Sequence, residues 1–234
     1  MATTTGKSAL IIGASRGLGF ALAAEFLARG WRVTATVRGA GRTRLHELAG
    51  SSAGGLVVET VDITVPDEVA ALRDRLAQTT FDLLFVNAGV TQHDPETTTA
   101  DVTTEEFTRL LVTNALSPMR VIEALQDLVA ASGTIAVMSS GQGSVANNTR
   151  GGFEVYRASK SALNQLMRSF AARHADDPRT LLLMAPGWVQ TDLGGPGAPL
   201  TIGQSIPGVA DTIEIQAGHP GLQYLDYRGQ TVPW

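Results

Sequence analysis

Runs of apolar residues alternate along this chain with stretches in which apolar positions return every three or four residues. Ser8–Ile12, Arg32–Val37, Phe81–Val86 and segments 56–61, 133–138 and 180–184 are rich in Val, Ile, Leu, Ala and Phe. Such runs predict strands buried on both faces, because a strand with one wet face would alternate. Between them, Gly17–Ala28 and segments 67–77, 104–129 and 206–216 read as helices. Further on, Ala158, Ala162, Leu163, Leu166, Met167 and Phe170 recur at helical spacing and predict another helix. Pro118 predicts a kink or irregularity in the longest one. Repeated strand-then-helix order predicts an α/β fold, a doubly wound parallel sheet of about seven strands with helices on both faces. No repeat, charge block or linker divides the sequence, so residues 1–234 read as one domain. The Gly/Pro-rich stretch 192–207 reads as an irregular lid inside it.

Composition narrows the chemistry. With 44% hydrophobic and 17% charged residues, the chain has the balance of a packed core. A net charge of −4 argues against a general nucleic-acid surface. The absence of cysteine excludes disulfides, thiolate catalysis and Cys-type zinc sites. His46, His93, His174 and His219 lack metal-ligand spacing, so no metal is expected. No apolar leader is evident, and no run approaches the roughly 18–20 residues that cross a bilayer. A soluble, cytoplasmic protein is expected.

The first strand runs into Gly13-Ala14-Ser15-Arg16-Gly17-Leu18-Gly19 and then a helix. Strand, glycine turn and helix N-terminus form the context of a dinucleotide site: glycines let the backbone approach a pyrophosphate, and free N–H groups meet its charge. The spacing is G-x-x-x-G-x-G rather than the commoner G-x-G-x-x-G. An NAD site usually ends the second strand with a carboxylate for the ribose 2′-hydroxyl. Here Arg38 follows Val37, and no carboxylate occurs between Glu25 and Glu47. A guanidinium suits a phosphate, so Arg38 and Arg16 point to a 2′-phosphate and hence to NADP(H), with Arg42 and Arg44 as solvated surface residues.

Tyr156 and Lys160 stand four apart on the predicted helix, which puts them on one face. An ammonium beside a phenol favours the phenolate and pulls its pKa toward neutrality. A phenol so tuned is a candidate acid and base. By itself Tyr-x-x-x-Lys is a weak signal.

The ordered set is stronger. GASRGLG, Asp62 after the third strand, Asn87-Ala88-Gly89 after the fourth, and Asn114 in the long helix follow one another. Ser139-Ser140, YRASK and Pro186-Gly187 with Thr191 complete it. Over nearly the whole chain this resembles the short-chain dehydrogenase/reductase family, in particular a C-factor-like, carbonyl-reductase-like branch. The resemblance implies a single Rossmann domain that interconverts a ketone or aldehyde and its alcohol with NADP(H). It implies Tyr156 as general acid and base, and Lys160 holding the nicotinamide ribose and lowering the Tyr156 pKa. Ser140 would bind the substrate oxygen, and Asn114 would hold a water that links Lys160 to solvent. For the cofactor it implies Gly13, Ser15, Arg16, Gly17, Leu18 and Gly19 at the pyrophosphate, and Asp62 and Ile63 at the adenine. Asn87, Ala88 and Gly89 would line the groove, and Pro186, Gly187, Val189 and Thr191 the nicotinamide end. It also implies a homodimer or homotetramer. Ser139 is the alternative to Ser140, and extra residues at 145–153 would shape the substrate pocket. His93 could edge that pocket, and Trp188 would either wall it or sit in the core. A catalytically silent NADP(H)-binding regulator of the same fold is the alternative function.

Overall fold

A computed structural model describes residues 6–92, 94 and 96–234. Seven strands form one parallel sheet: β1 (Ser8–Ile12), β2 (Arg32–Val37), β3 (Leu56–Thr60), β4 (Phe81–Val86), β5 (Val129–Met138), β6 (Thr180–Ala185) and β7 (Gly221–Asp226). Their order is β3-β2-β1-β4-β5-β6-β7. The chain winds outward from β1 to β3, returns to place β4 beside β1, then winds the other way. A crevice therefore opens at the carboxyl ends of β1 and β4, where doubly wound sheets bind ligands.

Alternate residues of each central strand feed two cores. Leu10 and Ile12 face Val69 and Leu72 of α3 (Pro66–Leu76), Ile122 of α5 (Ser117–Leu125) and Met167 of α6 (Glu154–Arg173). Ala9 and Ile11 face Phe26 of α1 (Gly17–Ala28), Leu45 of α2 (Arg44–Ser51) and Val209 of α7 (Ile202–Gln216). Both strand faces are thus dry, which explains why these strands are continuous in apolar residues rather than alternating. Truncating any of these fully buried leucines to alanine would cost about 2–5 kcal/mol.

Four elements depart from the sequence expectation. α2 buries only Leu45, and its eight residues carry too short a stripe to register as periodic. It is held by a capping box in which His46 takes the place usual for Glu: Thr43 N–H donates to His46 Nδ1 at 3.1 Å. β7 is an edge strand that starts at a glycine and buries only Tyr224 and Leu225 fully, so it lacks a continuous apolar run. The helix expected over 104–129 is instead α4 (Thr104–Leu111), a π turn (Val112–Leu116), α5 and a 3₁₀ turn (Gln126–Leu128), after which β5 begins. Pro118 has no N–H for the carbonyl of Asn114 four residues back, and the wider π turn absorbs that mismatch just before it. Finally, the irregular stretch expected over 192–207 ends at Thr201. A Thr201–Gln204 capping box starts α7 at Ile202, and Pro207 sits inside the helix, where it removes one bond, to Gly203. Among the described residues no helix is long and apolar enough to cross a membrane.

Candidate active site

The glycine turn is built for close approach. Gly13 has φ +87°, and an added Cβ would lie 2.9 Å from Ala88. A Cβ on Gly19 would fall 2.1 Å from the Gly13 carbonyl and 2.5 Å from Asn87 Nδ2. No side chain fits there, so the N-terminus of α1 stays bare and its N–H groups stay accessible to an anion. Asn87 Nδ2 donates to the Gly13 carbonyl at 2.8 Å, which ties the end of β4 to the turn. Thr36 holds it from the other side: Gly13 N–H donates to Thr36 Oγ1 at 2.9 Å, and Ala14 N–H to the Thr36 carbonyl at 2.7 Å. Thr36 looked like ordinary strand sequence, so its role was not legible beforehand. Ser15 and Leu18 lie half-buried in the same turn.

The side of the crevice where the adenine is expected is exposed. Arg38 and Arg16 are solvent-facing, and Arg38 borders a groove of about 630 Å³ with Thr64, Val90 and Val112. Asp62 Oδ1 accepts from Thr64 N–H at 2.9 Å and from its hydroxyl at 2.6 Å. Burial pushes the Asp62 carboxyl up, but the Thr64 bonds and the charge of Arg38 bring it below the usual carboxylate range. Ile63 is core, so what it offers a ligand is its backbone. Arg16 is already engaged: its Nη1 lies 3.0 Å from Asp192 Oδ2 of the lid, both side chains being about three-quarters exposed.

The loop expected to act as a lid follows Pro186-Gly187 at the end of β6. Gly187 has φ +82°, and a Cβ there would meet Leu200 at 2.6 Å. Val189 is buried and bridges Leu200, which closes the base of the loop. Thr191 brings its methyl to within 4.0 Å of where a Gly17 Cβ would stand, so lid and glycine turn meet across the crevice. Trp188 is 58% exposed with Nε1–H donating to the Gly194 carbonyl at 2.7 Å; it belongs to the lid, not the core. His93 lies outside the described residues.

Chemistry-bearing side chains gather where β4, β5 and α6 converge. Tyr156 and Lys160 are 8% and 3% exposed, on adjacent turns of α6. Lys160 Nζ lies 6.0 Å from the Tyr156 ring centroid and donates to the Met138 carbonyl at 2.9 Å. A Cβ on Gly89 would stand 3.3 Å from Asn114 Oδ1 and 3.5 Å from Lys160 Nζ, so Gly89 lies directly against both side chains. Asn114 is fully buried in the π turn. Its amide pairs with Val90 as a peptide would, accepting from Val90 N–H and donating to its carbonyl, both at 2.8 Å, and also donates to Ser159 Oγ at 2.9 Å. The Asn114 side chain is therefore spent on structure.

The two serines separate. Ser139 is buried, with Oγ donating to Asn164 Oδ1 at 2.6 Å. Ser140 is half-buried; its hydroxyl accepts from Gln142 N–H at 3.1 Å, and it lies near enough to the Tyr156 phenol to pull its pKa down. Of the pair, Ser140 is the one beside the phenol.

The expectation that Lys160 lowers the Tyr156 pKa is not met by this geometry. Burial pushes Tyr156 up to about 12, against the pull of the Ser140 hydrogen bond and with a further push from Tyr224. Burial also lowers Lys160 to about 8. Desolvation wins for both groups because the pair sits in the core, and Lys160 reaches the Met138 carbonyl rather than the phenol oxygen.

Two further residues position the cluster and had no sequence signal. Phe153, at the N-cap of α6, has φ +50° and caps nothing with its side chain. The cap comes instead from Gln92, buried in the loop after β4, whose Oε1 accepts from Tyr156 N–H at 3.1 Å. Tyr224 of β7 donates its hydroxyl to the Ser140 carbonyl.

Comparison with known proteins agrees with this geometry. The model of the short chain dehydrogenase family matches residues 7–197. A short-chain dehydrogenase/reductase from Burkholderia multivorans with bound NADP is 56% identical, with a TM-score of 0.96 over 98% of this chain and 100% of that one. A carbonyl reductase from Pseudomonas aeruginosa PAO1 in complex with NADP is 37% identical, with a TM-score of 0.89 over 98% and 100%. The C-signal protein of Myxococcus xanthus is 38% identical over 156 residues, which is 65% of this chain and 92% of that protein. A match that runs from the first strand into the lid, with relatives this similar across the whole sheet, makes the chain a member of the short-chain dehydrogenase family of oxidoreductases.

Proposed function

We propose that the protein reversibly reduces a ketone or aldehyde with NADPH, with Tyr156 as the general acid. The observation that carries this is the buried Tyr156, with Ser140, Lys160 and Asn114 gathered beside it, at the carboxyl edge of β4 and β5. A glycine turn that no Cβ can enter fits a pyrophosphate, so Gly13, Ser15, Arg16, Gly17, Leu18 and Gly19 would hold it. Arg38 would read the 2′-phosphate, Asp62 and the Ile63 backbone the adenine, Asn87, Ala88 and Gly89 the groove, and Pro186, Gly187, Val189 and Thr191 the nicotinamide end. When bound, NADPH supplies the hydride, and NADP⁺ accepts it in reverse.

The protein's part is the proton. At pH 7 a phenol with a pKa of about 12 is protonated, the form an acid needs. The Tyr156 O–H gives its proton to the substrate oxygen as negative charge develops there. Ser140 spends a lone pair on Gln142 N–H, and its own O–H, which acts on the Tyr156 phenol, would turn to that same substrate oxygen. The Lys160 ammonium then stabilises the phenolate and returns a proton to it. Asn114 would connect Lys160 to solvent through a water, and the group it has left for this is its backbone carbonyl, to which Pro118 can give no N–H. The lid at 188–201 would close over the reacting pair. Apolar Phe107, Leu116 and Leu166, partly exposed along α4, the π turn and α6, suit pairing of copies into a dimer or tetramer.

The test is purified protein with NADPH and a panel of aldehydes and ketones, read as loss of reduced-cofactor absorbance. Turnover of at least one carbonyl, and oxidation of its alcohol with NADP⁺, is expected. The second reading, an NADP(H)-binding regulator without turnover, draws on the likeness to a protein named C-signal. Tight NADPH binding with no turnover across the panel would favour it.

A further inference from the structure

Tyr224 lies on β7, two strands from β5, and takes no part in the chemistry proposed above. Its ring is 1% exposed and packs against Trp234 with centroids 5.6 Å apart. Its hydroxyl donates to the Ser140 carbonyl, which also accepts from Gly143 N–H at 2.8 Å.

That carbonyl belongs to a soft joint. Ser140, two residues beyond β5, is still extended, with φ −161° and ψ 148°, and the next residue is Gly141. Glycine gives little resistance to rotation of the peptide before it. The direction of the carbonyl is set by the same ψ that fixes how Ser140 leaves the strand. On either side the chain is already anchored. Ser139 is fastened to Asn164. The Gly143 carbonyl accepts from Asn164 Nδ2 at 3.2 Å and Ser161 Oγ at 3.0 Å. Gly143 packs so closely on α6 that a Cβ would stand 3.1 Å from Lys160. Between these anchors the 140–141 peptide is held by the Gly143 amide and by Tyr224.

We infer that Tyr224 is a positioning residue for the reaction: its hydroxyl clamps the Ser140–Gly141 peptide so that the Ser140 hydroxyl faces the substrate oxygen beside Tyr156. The inference rests on the role proposed for Ser140. A phenylalanine would fill the same space beside Trp234, so packing alone does not require the oxygen. A reacting group displaced by about 1 Å can lose about a hundredfold in rate, far more than one hydrogen bond contributes to folding.

The test is a double-mutant cycle on kcat with saturating NADPH, with KM, the NADPH dissociation constant and the melting temperature measured alongside. Tyr224→Phe is expected to lower kcat about tenfold while the NADPH dissociation constant moves less than about twofold. In a Ser140→Ala background the same change should lower kcat less than about twofold, because the clamp no longer has a hydroxyl to aim. Gly141→Ala, whose Cβ would meet nothing within 4 Å, stiffens the joint and should restore part of the kcat lost in Tyr224→Phe. An equal loss in both backgrounds, no loss with Ser140 intact, or no recovery with Gly141→Ala overturns the inference. Full kcat in Ser140→Ala alone would instead refute the role of Ser140, and the inference would fall with it.

Discussion

The two ends of the crevice are built on opposite principles. At the adenine end the groups expected to read phosphate, Arg16 and Arg38, stand in solvent, and Arg16 is shared with Asp192 of the lid. At the chemical end Tyr156, Lys160 and Asn114 are buried, and each is held by groups outside its own helix, from β5 or from the loop after β4. Exposed charges act through a high dielectric and can be exchanged at little loss to folding. Buried polar groups act strongly, but the fold must tolerate their desolvation. Recognition of the cofactor should therefore be tunable without harm to the fold, and proton transfer should not.

The largest expected effect comes from Lys160→Met. It should lower kcat about a thousandfold, the scale of lost acid–base support. It should also raise stability near neutral pH by about 1–3 kcal/mol, since the fold holds a lysine whose pKa is depressed from 10.5 to about 8, less what the Met138 carbonyl loses. The sign follows from proton counts. Between pH 8 and 10.5 the unfolded chain binds the proton that the fold rejects, so wild-type stability gains on the variant as pH rises through this window. Denaturant unfolding of both proteins across that range checks it; a wild type that loses ground with rising pH would show that Lys160 is not desolvated.

The same depressed value sets the rate profile. For carbonyl reduction kcat/KM should be level below about pH 7 and fall through about pH 8 as Lys160 loses its charge. A profile level to pH 10 would mean that the ammonium is not needed. Weaker effects belong to the exposed end. Arg38→Asp should raise the NADPH dissociation constant by about 10- to 100-fold, the worth of one charge-assisted bond, and leave NADH within about threefold, as measured by fluorescence titration. Equal losses for both cofactors would remove Arg38 from the phosphate. Weakest of all, Asp192→Ala should change NADPH affinity by less than about threefold, since an exposed pair contributes about 1 kcal/mol or less.

The contrast between the two ends also governs what the sequence could reveal. Strands buried on both faces announce themselves, and β1, β2 and β4 begin and end where their apolar runs do. Tyr156 and Lys160 were legible because helical spacing alone places them together. β7 was not, because an edge strand buries too little to leave a run, and with it went Tyr224. Gln92 is invisible for a different reason: its meaning lies in a contact across 64 residues with the first turn of α6. The peptide-like pairing of the Asn114 side chain with Val90 was not legible either, because nothing in its sequence neighbours announces it. The Tyr156 pKa was misjudged because spacing gives proximity and says nothing of desolvation.

The account depends on the Tyr156 hydroxyl as proton donor. Single-turnover oxidation of NADPH by a carbonyl substrate, compared in wild type and Tyr156→Phe at saturating cofactor, tests it most directly. The rate should fall about a thousandfold while NADPH still binds within about threefold of wild type. A Tyr156→Phe protein that consumes NADPH at the wild-type rate would contradict it.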